Sequence, residues 1–130
     1  MIVVDASAIL EVLLSTPSGP RVAERLFAAG QTLHAPHPLD LEVAQVLRRY
    51  ARSGELDPVR GLQALEDLAD FPLMRYPHRL FLPRIWELRN NVTGYDAVYL
   101  ALAEALEAPL VSRDAALASA VVHGAKVELI

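Results

Sequence analysis

The chain has no cysteine, which excludes disulfide frameworks, zinc ribbons and thiol nucleophiles together. It has one lysine, Lys126, against eleven arginines, and the acids outnumber the bases to leave a net charge of −4. A basic coat for generic nucleic-acid binding is therefore absent. Arginine's planar fork still suits individual phosphate contacts, and a GC-rich codon usage accounts for the bias equally well. Aromatics make up only 6% of a chain that is 53% hydrophobic, which leaves leucine, valine and alanine to build the core. No run reaches the ~18 consecutive apolar residues that cross a bilayer. Nor does a basic stretch, an apolar run and a cleavage site open the sequence. The expectation is a soluble, cytoplasmic protein without membrane contact. Its 130 residues suit a single domain, 1–130, that buries roughly two thirds of its unfolded surface.

What is present is organised around the first ten residues. Ile2-Val-Val4 is a β-branched run suited to a strand buried on both faces. It stops at Asp5, and from Ala6 the apolar spacing becomes helical, through Ala8, Ile9, Val12 and Leu13. A turn over Ser15–Pro20 leads to a helix that carries Val22, Leu26 and Phe27 inward and ends near Gly30. Thr32–Ala35 reads as a strand closed by Pro36 and Pro38, and a helix follows from about Leu39 to Arg52. Asp57-Pro58 is an N-cap with an N1 proline for a helix through Leu62, Leu65 and Leu68. Phe71–Tyr76 reads as a strand. Residues His78 to Asn90 are helical, with Pro83 beginning, kinking or splitting them. Thr93 to Leu106 is apolar on most sides and reads as a buried central helix. Strand Pro109–Ser112, helix Asp114–Val122 and strand Lys126–Ile130 complete the series. Strands alternating with helices over short connections predict an α/β/α sandwich around a mainly parallel sheet of four to five strands.

Four carboxylates fall where such a sheet binds ligands. Asp5 and Asp114 each follow a buried strand and open a helix, which is the carboxyl edge. Glu42 lies in the first turn of its helix beside Val43 and Val46, and Asp96 near the start of the most apolar helix. Each has a plainer role: Asp5 and Asp114 as helix caps, Asp96 in a Thr93-x-x-Asp96 capping box, Glu42 as a complement to the helix dipole. Four acids on one edge would nonetheless repel each other and lower stability without a counter-charge. No lysine or arginine follows the central strands unless Arg113 folds back. A bound divalent cation resolves the repulsion, and all-oxygen ligation favours Mg²⁺ or Mn²⁺. The histidines offer no alternative: His34 and His37 flank Pro36, and His78 and His123 sit at element ends on the surface.

At this point the sequence resembles the PIN-domain family, and within it the VapC-type toxins of bacterial toxin–antitoxin pairs. The resemblance is carried by Ile2-Val-Val-Asp-Ala-Ser-Ala-Ile-Leu10, Leu41-Glu-Val-Ala44, Thr93-Gly-Tyr-Asp-Ala97 with Tyr99-Leu-Ala-Leu-Ala103, and Leu110-Val-Ser-Arg-Asp114. These blocks span nearly the whole chain in the family's order. Arg84-Ile-Trp-Glu-Leu-Arg89-Asn-Asn91 looks like an actinobacterial branch of the same family. The resemblance implies a PIN-like fold and Mg²⁺- or Mn²⁺-dependent cleavage of single-stranded or looped RNA. The family's acids map onto Asp5, Glu42, Asp96 and Asp114. Of these, Asp5, Asp96 and Asp114 are implied metal ligands, and Glu42 is either a ligand or the base that orients the attacking water. Ser7 matches the family's small hydroxyl two residues after the first acid, with helix capping as its alternative role. Ser112 stands where the family often has threonine and keeps the hydroxyl. Arg113, Arg84 and Arg89 are candidates for RNA phosphates, although solvated helix charges describe them as well. Family members are usually homodimers neutralised by a cognate VapB-type antitoxin. Trp86, Phe81 and Tyr99 are expected in the core.

Rival readings fail on particular residues. A haloacid-dehalogenase-like phosphatase needs Asp-x-Asp, and Ser7 takes the second place. A receiver domain needs paired acids after its first strand, where Asp5 is single. The remaining alternative is a non-catalytic PIN-like module that only binds a protein partner.

Overall fold

The computed structural model of the protein describes residues 1–119 and 124–130. Five strands, β1 (Ile2–Val4), β2 (Leu33–Pro36), β3 (Leu73–Tyr76), β4 (Leu110–Ser112) and β5 (Val127–Leu129), form one sheet in the order β3-β2-β1-β4-β5. Every pairing is parallel. All residues of β1, β2 and β4 are buried. Successive side chains in a strand point to opposite faces, so both faces of the central sheet are covered and the architecture is the expected three-layer α/β sandwich. The edge strands β3 and β5 are only partly buried.

The helices are α1 (Ala6–Leu13), α2 (Gly19–Leu26), α3 (Pro38–Ser53), α4 (Pro58–Ala69), α5 (Leu82–Glu87), α6 (Gly94–Leu106) and α7 (Ala115–Ser119). Local chemistry sets their ends. Asp57 caps α4 by accepting from the Val59 N–H at 2.8 Å, with Pro58 in the first turn. Gly54 closes α3 at φ 82°, a left-handed conformation that glycine adopts without the usual Cβ penalty. Thr93 caps α6, its Oγ1 accepting from the Asp96 N–H at 3.2 Å. The length of α6 from Ala97 to Ala103 is buried without a break, as its all-round apolar sequence requires. Among the described residues, no helix is long and apolar enough to cross a membrane.

Several expectations change in detail. Helix α2 ends at Leu26 rather than near Gly30, and Phe27 is half exposed, tilted against Phe71 with ring centroids 5.5 Å apart. Helix α4 buries Gly61, Ala64 and Leu68 and leaves Leu62 and Leu65 exposed, because its inward stripe follows the small residues. Pro83 splits the 78–90 stretch: a 3₁₀ turn over Arg79–Phe81 precedes α5, which begins beside the proline. Trp86 is not a core residue. It is 67% exposed, because the short helix turns Ile85 and Leu88 inward and one turn cannot present Trp86 to the same side. Phe81 packs partly against the core, and Tyr99 is fully within it. The end of the helix expected over 114–122, and His123, lie outside the described residues.

Candidate active site

The order β3-β2-β1-β4-β5 makes the seam between β1 and β4 the point where the connections change direction. Beyond the strand ends at such a seam lies the crevice that open parallel sheets use for ligands. Val3 and Val4 pair with Leu110 and Val111, so the next residues in register are Asp5 and Ser112. The parallel ladder thus brings the two ends of the chain to one place.

Asp5 is 7% exposed and holds three hydrogen bonds. Its Oδ1 accepts from Ser7 Oγ at 2.6 Å and from the Ala8 N–H at 3.2 Å, so the capping role is real. Its Oδ2 accepts from Ser112 Oγ. Each serine is in turn fixed by the loop after β4. The Arg113 N–H donates to Ser7 Oγ at 2.9 Å, and the Asp114 N–H to Ser112 Oγ at 2.9 Å. The two hydroxyls therefore couple the position of the first acid to the backbone that carries the last. Asp114 is exposed and caps α7, with Oδ1 accepting from the Ala116 and Leu117 N–H groups at 2.9 and 3.4 Å.

Glu42 and Asp96 come from helices α3 and α6. Helix α3 starts at Pro38, so Glu42 lies in its second turn and not its first. The side chain is partly buried and accepts from the Tyr99 hydroxyl at 3.1 Å. Asp96 lies in the first turn of α6. Tyr99 lies three residues further along the same helix, so α6 presents an acid and a phenol to the same region.

The electrostatics show that the four acids feel one another. Burial pushes the Asp5 carboxyl above its ordinary value, hydrogen bonds from Ser112, Ser7 and Ala8 oppose the rise, and Asp114 adds to it. Glu42 is pushed up to about 7, first by burial and then by the charges of Asp5 and Asp96, against the hydrogen bond from Tyr99. Asp96 is raised by burial and by Asp114 and Asp5. None of the four is in an ion pair among the described residues. Carboxylates held together without a cation favour protonation, and a divalent cation is what restores their charge. The donor set is entirely oxygen, which suits Mg²⁺ or Mn²⁺. Among the described residues no three such side chains stand close enough to form a finished cage.

The arginines are engaged elsewhere. Arg113 donates to the Ile130 carbonyl at 2.9 Å and to Ser18 Oγ at 3.4 Å, and it lies 3.6 Å from Glu11. It therefore does not fold back onto the acids. Arg84 grips Glu104 through two bonds of 2.9 and 3.0 Å and Glu87 at 2.8 Å. Arg89 lies 4.5 Å over the Trp86 ring and bonds to the Trp86 carbonyl. Of the histidines, His34 is buried between Tyr76 Oη (2.7 Å) and Thr32 Oγ1 (2.8 Å), while His37 and His78 are exposed at element ends. An open groove of about 670 Å³ runs beside Glu42 along Leu41, Gln45, Arg48, Arg49 and Tyr95. The sequence reading placed Tyr99 in the core alone and missed its contact with Glu42. The signal was its spacing, i+3 from Asp96.

Comparison with known proteins identifies the family of the fold. The PIN domain family model matches residues 2–122. Ribonuclease VapC12 of Mycobacterium tuberculosis is 39% identical over 130 residues, which cover 100% of this chain and 99% of that protein. Ribonuclease VapC9 of the same species is 46% identical over 114 residues, 88% of this chain and 86% of that one. The crystal structure of VapBC2 from Rickettsia felis, bound to a promoter DNA fragment, shares the fold with a TM-score of 0.71 at 14% identity, covering 99% of this chain and 98% of that one. A parallel five-stranded sheet with acids at its central seam, a family model spanning most of the chain and full-length relatives at this identity lead to one conclusion: the chain belongs to the PIN-domain family, among its VapC-type members.

Proposed function

We propose that the protein is a metal-dependent endoribonuclease, the toxin of a VapBC-type toxin–antitoxin pair, and that residues 1–130 act as a single PIN domain. The observation that carries this reading is the set Asp5, Glu42, Asp96 and Asp114 at one sheet seam, with three of them pushed toward protonation by burial and by one another. The names of the VapC12 and VapC9 relatives, both ribonucleases, support the reaction class.

A bound Mg²⁺ or Mn²⁺ offsets phosphate charge, acidifies a water and stabilises the leaving oxygen. Asp5, Asp96 and Asp114 would hold it. Ser7 and Ser112 keep the Asp5 carboxylate aimed and set its position relative to the loop of Asp114. Glu42, raised to about 7, suits a group that either ligates or takes a proton at Oε2 from the attacking water near neutral pH. The groove beside Glu42, with exposed Leu41 and Tyr95 and the cationic Arg48 and Arg49, is the approach for an RNA strand. Arg113, Arg84 and Arg89 are poor candidates for phosphate contacts, since each guanidinium already has protein partners. A VapB-type antitoxin and a second copy of the chain are the proposed protein partners, the antitoxin being in line with the shared fold of a toxin–antitoxin complex from Klebsiella pneumoniae.

The test is cleavage of end-labelled RNA with added Mg²⁺ or Mn²⁺, in wild type and in Asp5→Asn and Asp96→Asn variants checked for folding by circular dichroism. Wild type cuts only with the cation, and both variants are inactive. Undiminished cutting in excess EDTA removes the metal from the proposal. No cutting under any condition, with antitoxin binding retained, favours the non-catalytic module.

A further inference from the structure

A tyrosine in a core built from leucine, valine and alanine brings a polar atom to a place where an unpaired hydroxyl is costly. The Tyr99 ring is 1% exposed, and its hydroxyl donates to Glu42 Oε1 at 3.1 Å, joining residues 57 apart in sequence. Among the described residues it is the one hydrogen-bond partner of the Glu42 carboxylate. Without it, a partly buried glutamate facing Asp5 and Asp96 has a way to relieve repulsion, by rotating outward into water. The carboxylates of Asp5 and Asp114 are held by their own local contacts, Asp5 by Ser7, Ala8 and Ser112 and Asp114 by the start of α7, and the backbone of Asp96 is fixed by the Thr93 cap. Glu42 sits within α3, past the helix start, and has no cap to hold it.

We infer that Tyr99 is a positioning residue, which holds Glu42 inward by one carboxylate oxygen and leaves Oε2 facing the other acids for the ion or the attacking water. The inference rests on the metal-dependent reading above. One helix thus supplies both Asp96 as a ligand and, one turn later, the group that aims the fourth acid. The plain alternative is a buried hydroxyl that merely takes the nearest acceptor, with no consequence for the site.

The test uses the whole chain and Mn²⁺ as the probe, with affinity from calorimetry and the environment of the bound ion from its electron paramagnetic resonance line shape. Tyr99→Phe keeps the ring in the core and removes only the hydroxyl. It is expected to weaken Mn²⁺ binding by about 10- to 100-fold, the range found when a partner of a metal ligand is lost. It should also lower kcat with KM for RNA unchanged and alter the Mn²⁺ line shape. In an Asp114→Asn background the same loss of affinity should recur. In a Glu42→Gln background Tyr99→Phe should change Mn²⁺ affinity by less than about twofold, because there is no charged group left to aim. Equal affinities of wild type and Tyr99→Phe overturn the inference, as does an identical loss in the Glu42→Gln background. Wild type that binds no Mn²⁺ at all overturns the metal-dependent reading itself, which distinguishes the two failures.

Discussion

Glu42→Gln separates what the site costs from what it does. Glu42 has an ordinary carboxyl value of 4.5 when unfolded and about 7 in the folded protein, so the folded state holds a proton that the unfolded state has released. The stability tied to this group is complete below pH 4.5 and is lost as pH rises through 7. Taken at face value, the rise corresponds to roughly 3 kcal/mol. Solvent screening at a partly exposed side chain reduces that to about 1–2 kcal/mol. Glutamine keeps an oxygen that accepts from Tyr99 and removes the charge. At pH 8 without divalent cation, the variant should therefore be more stable than wild type by about 1–2 kcal/mol, a rise in Tm of roughly 4–8 °C for a chain of this length. At pH 5 most of the difference should vanish. Mn²⁺ should stabilise wild type more than the variant, and the variant should not cleave RNA. The assay is urea or thermal unfolding followed by far-ultraviolet circular dichroism at pH 5, 6.5 and 8, with EDTA or Mn²⁺. A wild type whose stability is flat from pH 5 to 8, or a variant less stable at pH 8 in EDTA, would refute the claim that the acids repel each other in the apo protein.

Other consequences are simpler. Ser112→Ala leaves the buried Asp5 Oδ2 and the Asp114 N–H without their shared partner; it should lower unfolding free energy by about 1–3 kcal/mol and reduce cleavage in the same preparation. Asp5→Asn can still accept from the Ala8 N–H as a cap, so it should stay folded, with a Tm within a few degrees of wild type, while losing RNA cleavage. Burial and the nearby terminal ammonium hold the His34 imidazole below its ordinary 6.5. Its neutral form should therefore persist in NMR titrations at pH 6.5, and its contribution to stability should be present above that pH and fall away below it. Trp86→Ala should change the stability of the monomer by less than about 0.5 kcal/mol, because the ring is 67% exposed, whereas Leu100→Ala, at a fully buried position, should cost about 2–5 kcal/mol.

Local pattern was enough to write most of the chain's structure. The β-branched run before Asp5, the Asp57-Pro58 start and the all-apolar 93–106 stretch each specify an element through steric, capping or burial preferences that act within a few residues, and all three stand where expected. The same locality named the four acids, since each follows a strand or lies in the first turns of a helix. Facing and pairing were different. Whether Trp86 or Ile85 turns inward depends on how a six-residue helix sits on its neighbours, and its own sequence is apolar enough for either. Arg113 bonds to Ile130 only because the parallel register sets β4 beside β5, and Tyr99 bonds to Glu42 only because the tertiary fold brings α6 and α3 to the same sheet edge. Partners that lie many helical turns away in sequence leave no periodic trace. What composition and spacing determined was the order of elements and the chemical character of the crevice. Which groups touch there, and which charges go unanswered, was decided by packing, because hydrogen bonds and repulsions act over ångströms in space and not along the chain.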